Sequence, residues 1–144
     1  MDYIDEIKKK DALVEKLGAL SVVWRRWIEL YQKNTKLEKY FIDRNIKRIA
    51  IYGMSDLGIA LYRELIPSSV EVLYCIDMER HRCEFDVEIK APNEVDNTVD
   101  IVVVTPVSYF SAIYDSLNAT LENRVEIVGI DEIIMELLVE EERK

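Results

Sequence analysis

The order of apolar and polar positions along the chain changes its period near residue 46. Before that point, apolar residues recur three or four positions apart with charged residues between them, as on amphipathic helices. After it, short β-branched runs alternate with further helical patterns. Alternating strands and helices predict a parallel sheet covered by helices. We therefore expect a helical extension over residues 1–45 and an α/β domain over residues 46–144.

The N-terminal segment carries two helical stripes followed by a capping motif. Gly18 predicts a weakening or an end of the first helix, and a second stripe surrounds Trp24, Trp27 and Tyr31. The run Thr35-Lys36-Leu37-Glu38 matches a capping box and predicts a third helix. The tryptophans have two interpretations, packing on the rest of the fold or contact with another subunit. On the second interpretation, we expect a homodimer that forms through these helices.

Five short apolar runs predict five strands, at residues 47–52, 70–76, 87–89, 99–105 and 125–128. The run around Val103 is nearly continuous and β-branched, which is typical of a central strand buried on both faces. The expected architecture is a three-layer Rossmann-like α/β domain. Its parallel sheet has about five strands in the order 3-2-1-4-5, with a short third strand, and extra helices precede it.

The turn after the first strand is the strongest motif. An apolar run over residues 49–52 ends at Gly53, and Gly58 follows five positions later, where a helical pattern begins. In dinucleotide-binding units such glycines permit a tight turn and close packing of helix on strand. The middle glycine of such a motif lets pyrophosphate approach the backbone closely. Here Ser55 occupies that position, and its Cβ atom hinders the approach. Asp56 adds a negative charge beside any phosphate, or is an ordinary helix-start residue.

Ligands of open parallel sheets bind beyond the carboxyl ends of the strands. Asp77 ends the second strand 24 residues after Gly53, where an acid accepts hydrogen bonds from ribose hydroxyls; capping the next turn is the alternative role. Tyr109 and Phe110 follow the central strand and could stack on a planar ligand. Simple exposure is the favoured alternative for Tyr109, and core packing is the favoured alternative for Phe110. The predicted ligand-binding residues are Gly53, Met54, Ser55, Asp56, Leu57, Gly58, Asp77, Thr105 and Pro106.

The composition and charge of the chain disfavour several classes of function. The chain has 144 residues, 49% hydrophobic and 33% charged, with a formal net charge of -9. Such acidity disfavours nucleic acids, whose binding depends on cationic contacts with phosphate. No apolar run approaches the roughly 20 residues that span a membrane, and the N-terminus has no signal-peptide pattern. Two cysteines fit a reduced compartment. A cytoplasmic protein without nucleic-acid or membrane partners is therefore expected.

No catalytic or metal-binding constellation is visible. His81 is the single histidine and lies near Cys75, Asp77 and Cys83, but the set lacks the spacing of a metal site. Neither thiol is marked as activated. A self-sufficient dehydrogenase is the least favoured function, because little chain remains for a substrate domain and His81 is the lone acid–base candidate. Whether the protein is an enzyme stays open.

The chain resembles a known group at Ile49–Gly58, at Tyr62, at Asp77 and at Asp100–Pro106. These are small Rossmann-like NAD(P)-binding-type domains of bacteria, which stand alone or are joined to glycosyltransferases and sugar-modifying enzymes of surface-polysaccharide loci. The resemblance implies binding of a nucleotide or nucleotide sugar, with NAD(P) as another ligand, in surface glycan biosynthesis. It also implies a glycosyltransferase as partner. The alternative is a non-catalytic oligomerisation or partner-binding domain with a vestigial nucleotide site.

Overall fold

A computed structural model of the chain describes residues 2–79 and 85–144. The helices are α1 (Tyr3–Gln32), α2 (Glu38–Asp43), α3 (Asp56–Leu65), α4 (Phe110–Leu121) and α5 (Ile130–Glu142). The strands are β1 (Arg48–Tyr52), β2 (Glu71–Ile76), β3 (Glu88–Lys90), β4 (Ile101–Val104) and β5 (Glu126–Gly129). Single 3₁₀ turns cover Pro92–Glu94 and Val107–Tyr109.

The five strands form one parallel sheet in the order β3-β2-β1-β4-β5. At its centre, Ile51 of β1 is paired with Cys75 of β2 on one side and with Val103 of β4 on the other. The predicted Rossmann-like α/β fold, its strand order and its short third strand are therefore confirmed. All five carboxyl ends reach the same edge of the sheet, because every strand runs in one direction.

The sheet is covered on both faces, which gives three layers. Val103 packs in a core formed with α1, α2, α3 and α5, whereas Val102 and Val104 pack in a second core with α4. All three valines are fully buried. The prediction that β4 is a central strand buried on both faces is thus confirmed, and it explains why this strand has no polar residue.

Helix α1 is continuous, so of the two alternatives predicted at Gly18, a weakening or an end of the helix, the end was wrong. A Cβ atom at Gly18 would meet nothing within 4 Å, and one exposed helical glycine costs only about 1 kcal/mol relative to alanine. Packing of the C-terminal half outweighs that cost. Val23, Trp27 and Leu30 are buried, and the Trp27 indole Nε1 donates a hydrogen bond to Glu64 Oε1 at 3.2 Å. None of the described helices has the length and apolar character needed to cross a bilayer.

The predicted capping box at residues 35–38 was also wrong. The Thr35 hydroxyl donates to Glu141 Oε1 at 2.6 Å instead of capping a helix, and α2 begins after Leu37. The Leu37 amide donates to Glu64 Oε2 at 2.9 Å. Tertiary partners from α5 and α3 therefore take the place of the local cap. This part of the extension also contributes the buried side chains of Tyr40 and Phe41 to the first core.

Helix α5 begins at Ile130, two residues earlier than a cap at Asp131, the acidic residue after β5, would place it. Its N-cap is Gly129, with extended backbone angles (φ -80°, ψ 143°), and Asp131 lies inside the first turn. The sequence favours Asp131 as the capping residue, because acidic side chains are common helix caps, and that prediction was wrong. Its carboxylate is still favourably placed, because the positive end of the helix dipole lies there.

Candidate functional site

Gly53 forms the turn between β1 and α3, and its place admits no side chain. Its φ angle is 91°, in the left-handed region that favours glycine. A Cβ atom there would lie 2.6 Å from Thr105 Oγ1 and 2.7 Å from Pro106 Cδ. The Gly53 amide donates to the Ile76 carbonyl at 2.8 Å, which ties the turn to the end of β2. Gly53 thus has the tight-turn role expected from the sequence.

Gly58 lies in the first turns of α3 and packs directly against Gly53. A Cβ atom on Gly58 would be 1.8 Å from the Gly53 carbonyl oxygen, far inside any contact distance. Helix α3 therefore approaches β1 as closely as it does only because Gly58 has no side chain. This is the close-packing role of the last glycine in the motif.

Ser55 is the N-cap of α3 and is exposed, as is Asp56 in the first helical turn. The Ser55 backbone is extended (φ -86°, ψ -157°), so the position does not require glycine. Its side chain makes no capping hydrogen bond. The first four amides of a helix have no partner within that helix, and α3 begins at the carboxyl edge of the sheet, shortly after β1 ends.

The carboxylate of Asp77 joins the end of β2 to this turn. Its Oδ2 accepts a hydrogen bond from the Met54 amide at 3.0 Å, and its Oδ1 accepts one from the Glu79 amide at 2.8 Å. The structure therefore brings Asp77 and the glycine turn together as the sequence predicted, and Asp77 also closes the next turn. A carboxylate has about four lone-pair sites, so these two donors from the described part of the chain leave two acceptor sites for a ligand.

Thr105 and Pro106 form the floor of the turn. Thr105 is buried, and its hydroxyl lies 2.9 Å from the Tyr52 carbonyl oxygen and 2.8 Å from that of Gly53. One hydroxyl hydrogen serves these two acceptors, so the threonine holds the turn in place. Thr105 would therefore contribute to a ligand site by positioning the turn. Pro106 is half-buried and lies beside Gly53.

These strand ends open into a cavity of about 470 Å³. That volume lies within the roughly 300–1,000 Å³ typical of small-molecule sites. All nine predicted ligand residues except Gly58 line it, because Gly58 packs inward against the turn. The opposite wall comes from α1, through Lys16, Leu20 and Trp24. Sequence reasoning missed this wall, since the helical stripe does not reveal which edge of the sheet α1 crosses.

Charged and aromatic side chains give the cavity a polar rim. Among its described lining residues, Asp56, Asp77 and Glu79 are acidic and Lys16 is basic. The Lys16 ammonium lies 5.6 Å from the centroid of the Tyr109 ring, within the range of a cation–π contact. The cavity thus has a carboxylate at the end of β2 and an ammonium on the α1 side.

Tyr52 ends β1 and lines the same cavity. Partial burial raises the pKa of its phenol above the ordinary value of 10.0, and the negative charge of Asp77 raises it further. The phenol therefore stays protonated and neutral at physiological pH. In that form it offers a ligand one O–H donor beside the carboxylate of Asp77.

Tyr109 and Phe110 differ in surroundings as the sequence predicted. Tyr109 is exposed and lines the cavity, whereas Phe110 is half-buried and packs with Tyr114, their ring centroids 5.7 Å apart. Phe110 also lies against the second core. Tyr109 is thus the aromatic side chain beyond β4 that a planar ligand can reach.

The residues around His81 and Cys83 lie outside the described part of the chain, so the structure places neither side chain. Cys75 is buried in β2. Over residues 2–79 and 85–144, no three His, Cys, Asp or Glu side chains converge as metal ligands.

The comparisons with known proteins returned no relative. No protein-family model, no curated protein and no solved structure significantly matches this chain.

Proposed function

We propose that the domain binds a nucleotide or a nucleotide sugar in the cavity at the carboxyl edge of the sheet. One observation carries the proposal: the glycine turn of α3 and the carboxylate of Asp77 lie on the same cavity, joined by the hydrogen bond from Met54. In open α/β sheets, phosphate is held at such a helix start and ribose at such a strand-end acid.

The proposed pose follows from the donors and acceptors on the rim. Ribose or sugar hydroxyls donate to the lone pairs of Asp77 that Met54 and Glu79 leave unused. The phosphate lies at the first amides of α3, where the helix dipole favours negative charge. The base lies toward Tyr109 and Trp24, the aromatic residues that line the other side of the cavity.

The charged residues on the rim of the cavity also predict which ligands bind more tightly than others. A carboxylate at the ribose favours a free 2′-hydroxyl and repels a 2′-phosphate. We therefore expect NADP to bind more weakly than NAD. The Cβ atom of Ser55 and the charge of Asp56 lie near the phosphate position. Both disfavour close approach of a pyrophosphate, so affinities should be modest.

A thermal-shift panel tests the proposal. A ligand that binds only the native state raises the melting temperature in proportion to ln(1 + [L]/Kd). The panel contains NAD, NADP, coenzyme A, S-adenosylmethionine and UDP-glucose. We expect a concentration-dependent shift with NAD or UDP-glucose and a smaller one with NADP. A larger shift with NADP than with NAD contradicts the placement of ribose at Asp77.

The second candidate function is a non-catalytic interaction domain with a vestigial nucleotide site. The replacement of the middle glycine by Ser55 and the exposed N-terminal half of α1 favour it. Ser55→Gly separates the two functions, because it removes the Cβ atom that crowds the phosphate. If no ligand of the panel shifts the melting temperature of the wild type or of Ser55→Gly, the interaction domain is the better account.

The biological setting rests on the resemblance alone. A role in bacterial surface glycan biosynthesis and a glycosyltransferase partner remain proposals. Identification of the ligand addresses both, since a nucleotide sugar is the donor substrate that such an enzyme uses.

A further inference from the structure

The N-terminal half of α1 extends beyond the domain. Residues 2–18 are all exposed, whereas burial against the first core begins near Leu20. A helix segment without tertiary packing is marginal in water, because most helical stability in proteins comes from packing of an apolar face. Apart from Lys16, which contacts Tyr109 and lines the cavity, this half of α1 therefore has no tertiary contact that buries a residue in the described part of the chain.

A second apolar stripe runs along the whole of α1, beside the stripe that faces the domain. Its positions repeat in heptads, three and four residues apart. Its apolar members are Tyr3, Ile7, Val14, Leu17, Trp24, Ile28 and Tyr31. Lys10 and Ser21 occupy the two remaining positions, and every member except the half-buried Trp24 is exposed. An apolar heptad pattern sustained over four heptads is the signature of a coiled coil.

From this pattern we infer that the heptad stripe pairs with the same stripe of a second copy of this chain, in an antiparallel coiled coil. Trp27 is buried against the domain and so is not part of the contact. A two-fold contact uses one patch on both copies, so a self-complementary stripe needs no further partner.

The antiparallel direction follows from the positions of apolar and charged residues. When Val14 lies level with Leu17 of the second copy, Ile7 lies level with Trp24 and Tyr3 with Ile28. In the same register Asp5 and Glu6 lie level with Arg26 and Arg25. A parallel pair would instead bring the run Lys8–Lys10 level with itself, which like charges disfavour.

The surface of α1 fits this register. A shallow groove lies along its C-terminal half, lined by Ser21, Trp24, Ile28 and neighbouring polar residues. The register places Lys10, Ile7 and Tyr3 of the second copy over that groove. The projecting half of each helix is thus covered by the anchored half of the other.

The balance of charges on α1 favours a second copy of this chain as the partner of the heptad stripe. Helix α1 carries six basic and five acidic side chains, whereas the whole chain has a formal net charge of -9. Two such helices approach without the repulsion that acidic surfaces exert on one another. The polar face is also not strongly basic, as a helix lying on an anionic membrane would be.

Light scattering on the full chain at about 10 µM tests the pairing, a range in which moderate affinities populate a dimer. We expect twice the chain mass of 16.9 kDa. The double variant Val14→Glu/Leu17→Glu should give the single-chain mass and retain cooperative unfolding. Ile66→Glu is the matched control: Ile66 is 61% exposed and Val14 68%, but Ile66 lies at the end of α3. A monomeric wild type, a dimeric double variant, or dissociation by Ile66→Glu overturns the inference.

Cross-linking tests the direction. In a Cys83→Ser background, Tyr3→Cys and Ile28→Cys chains are mixed and oxidised. The mixture should form a disulfide-linked dimer, whereas either variant alone should not. In the proposed register two copies of Tyr3 lie 25 residue levels apart, about 38 Å along a helix. Cross-linking of Tyr3→Cys alone, with no disulfide between Tyr3→Cys and Ile28→Cys chains in the mixture, indicates a parallel pair and overturns the proposed direction.

Discussion

Gly58 is the residue whose substitution has the most direct physical consequence. A Cβ atom there meets the Gly53 carbonyl oxygen at 1.8 Å, so α3 must move away from β1 or the turn must distort. Gly58→Ala should therefore destabilise the fold by about 3 kcal/mol or more, as overpacked or strained sites do. Chemical denaturation of the purified variant measures the change.

Gly18→Ala is the matched control for that measurement. The same methyl group meets nothing within 4 Å on the exposed surface of α1. It should stabilise the chain slightly, by up to about 1 kcal/mol, because alanine is the better helix former. If both substitutions have equal effects, the close approach of α3 to β1 is incorrectly described.

Asp100 makes the stability of the sheet depend on pH. Its Oδ2 accepts hydrogen bonds from the amides of Lys47 and Arg48, both at 3.1 Å, which joins the starts of β4 and β1. These hydrogen bonds lower the pKa of the carboxyl below its ordinary value of 3.8. The contribution is therefore fully present above that value and is lost as the pH falls through the folded-state pKa.

Asp100→Asn tests this dependence, because the amide resembles the protonated carboxyl. At pH 7 the variant should unfold with about 1 kcal/mol less free energy, a low figure for charged hydrogen bonds because the site is exposed. The difference from the wild type should vanish well below pH 3.8. Denaturant titrations at several pH values measure it. A difference that is constant with pH contradicts the assigned hydrogen bonds.

At the scale of elements, β4 is the strand on which both cores depend. Val103→Asp places a carboxylate in a fully buried position among the apolar side chains of the first core. An unpaired buried charge costs several kcal/mol, against a total stability of about 5–15 kcal/mol. We expect the variant to fail to give soluble, cooperatively unfolding protein.

Val139→Asp provides the control for β4. Val139 lies in α5 and is 38% exposed, so the same chemical change reaches water there. Expression, solubility and thermal unfolding of the two variants should differ sharply. A soluble Val103→Asp protein with a cooperative transition would show that β4 is not central.

The length of helix α1 could not be predicted from the local sequence pattern. Its apolar periodicity was readable, but its length depended on packing of Val23, Trp27 and Leu30 against the domain, which outweighs the glycine at position 18. The partner of Thr35 is likewise non-local: Glu141 lies 106 positions away in the sequence. Local capping rules could not anticipate that contact.

At the scale of the whole molecule, the fold could be predicted because its signals are periodic. The alternation of strands with helices and the two glycines specified a parallel sheet and its turn. Asp77 was correctly expected beside the glycine turn, since carboxyl ends of parallel strands share one edge. The wall formed by Lys16, Leu20 and Trp24 could not be predicted, because it depends on how α1 crosses that edge.

Taken as one unit, the molecule is a sheet with a cavity at its carboxyl edge and a helix along that cavity. The central claim is that a nucleotide-type ligand binds there with its ribose at Asp77. Asp77→Asn removes the charge while keeping the shape of the side chain. Asp115→Asn is the matched control, because Asp115 is exposed on α4 and does not line the cavity.

Titration calorimetry of the wild type and these two variants, with NAD and with UDP-glucose, tests that claim most directly. We predict measurable binding of at least one of the two ligands by the wild type and by Asp115→Asn. Asp77→Asn should bind that ligand about ten- to a hundredfold more weakly, the loss expected for hydrogen bonds to a charged group. Unchanged affinity in Asp77→Asn, or no binding by the wild type at millimolar ligand, would contradict the claim.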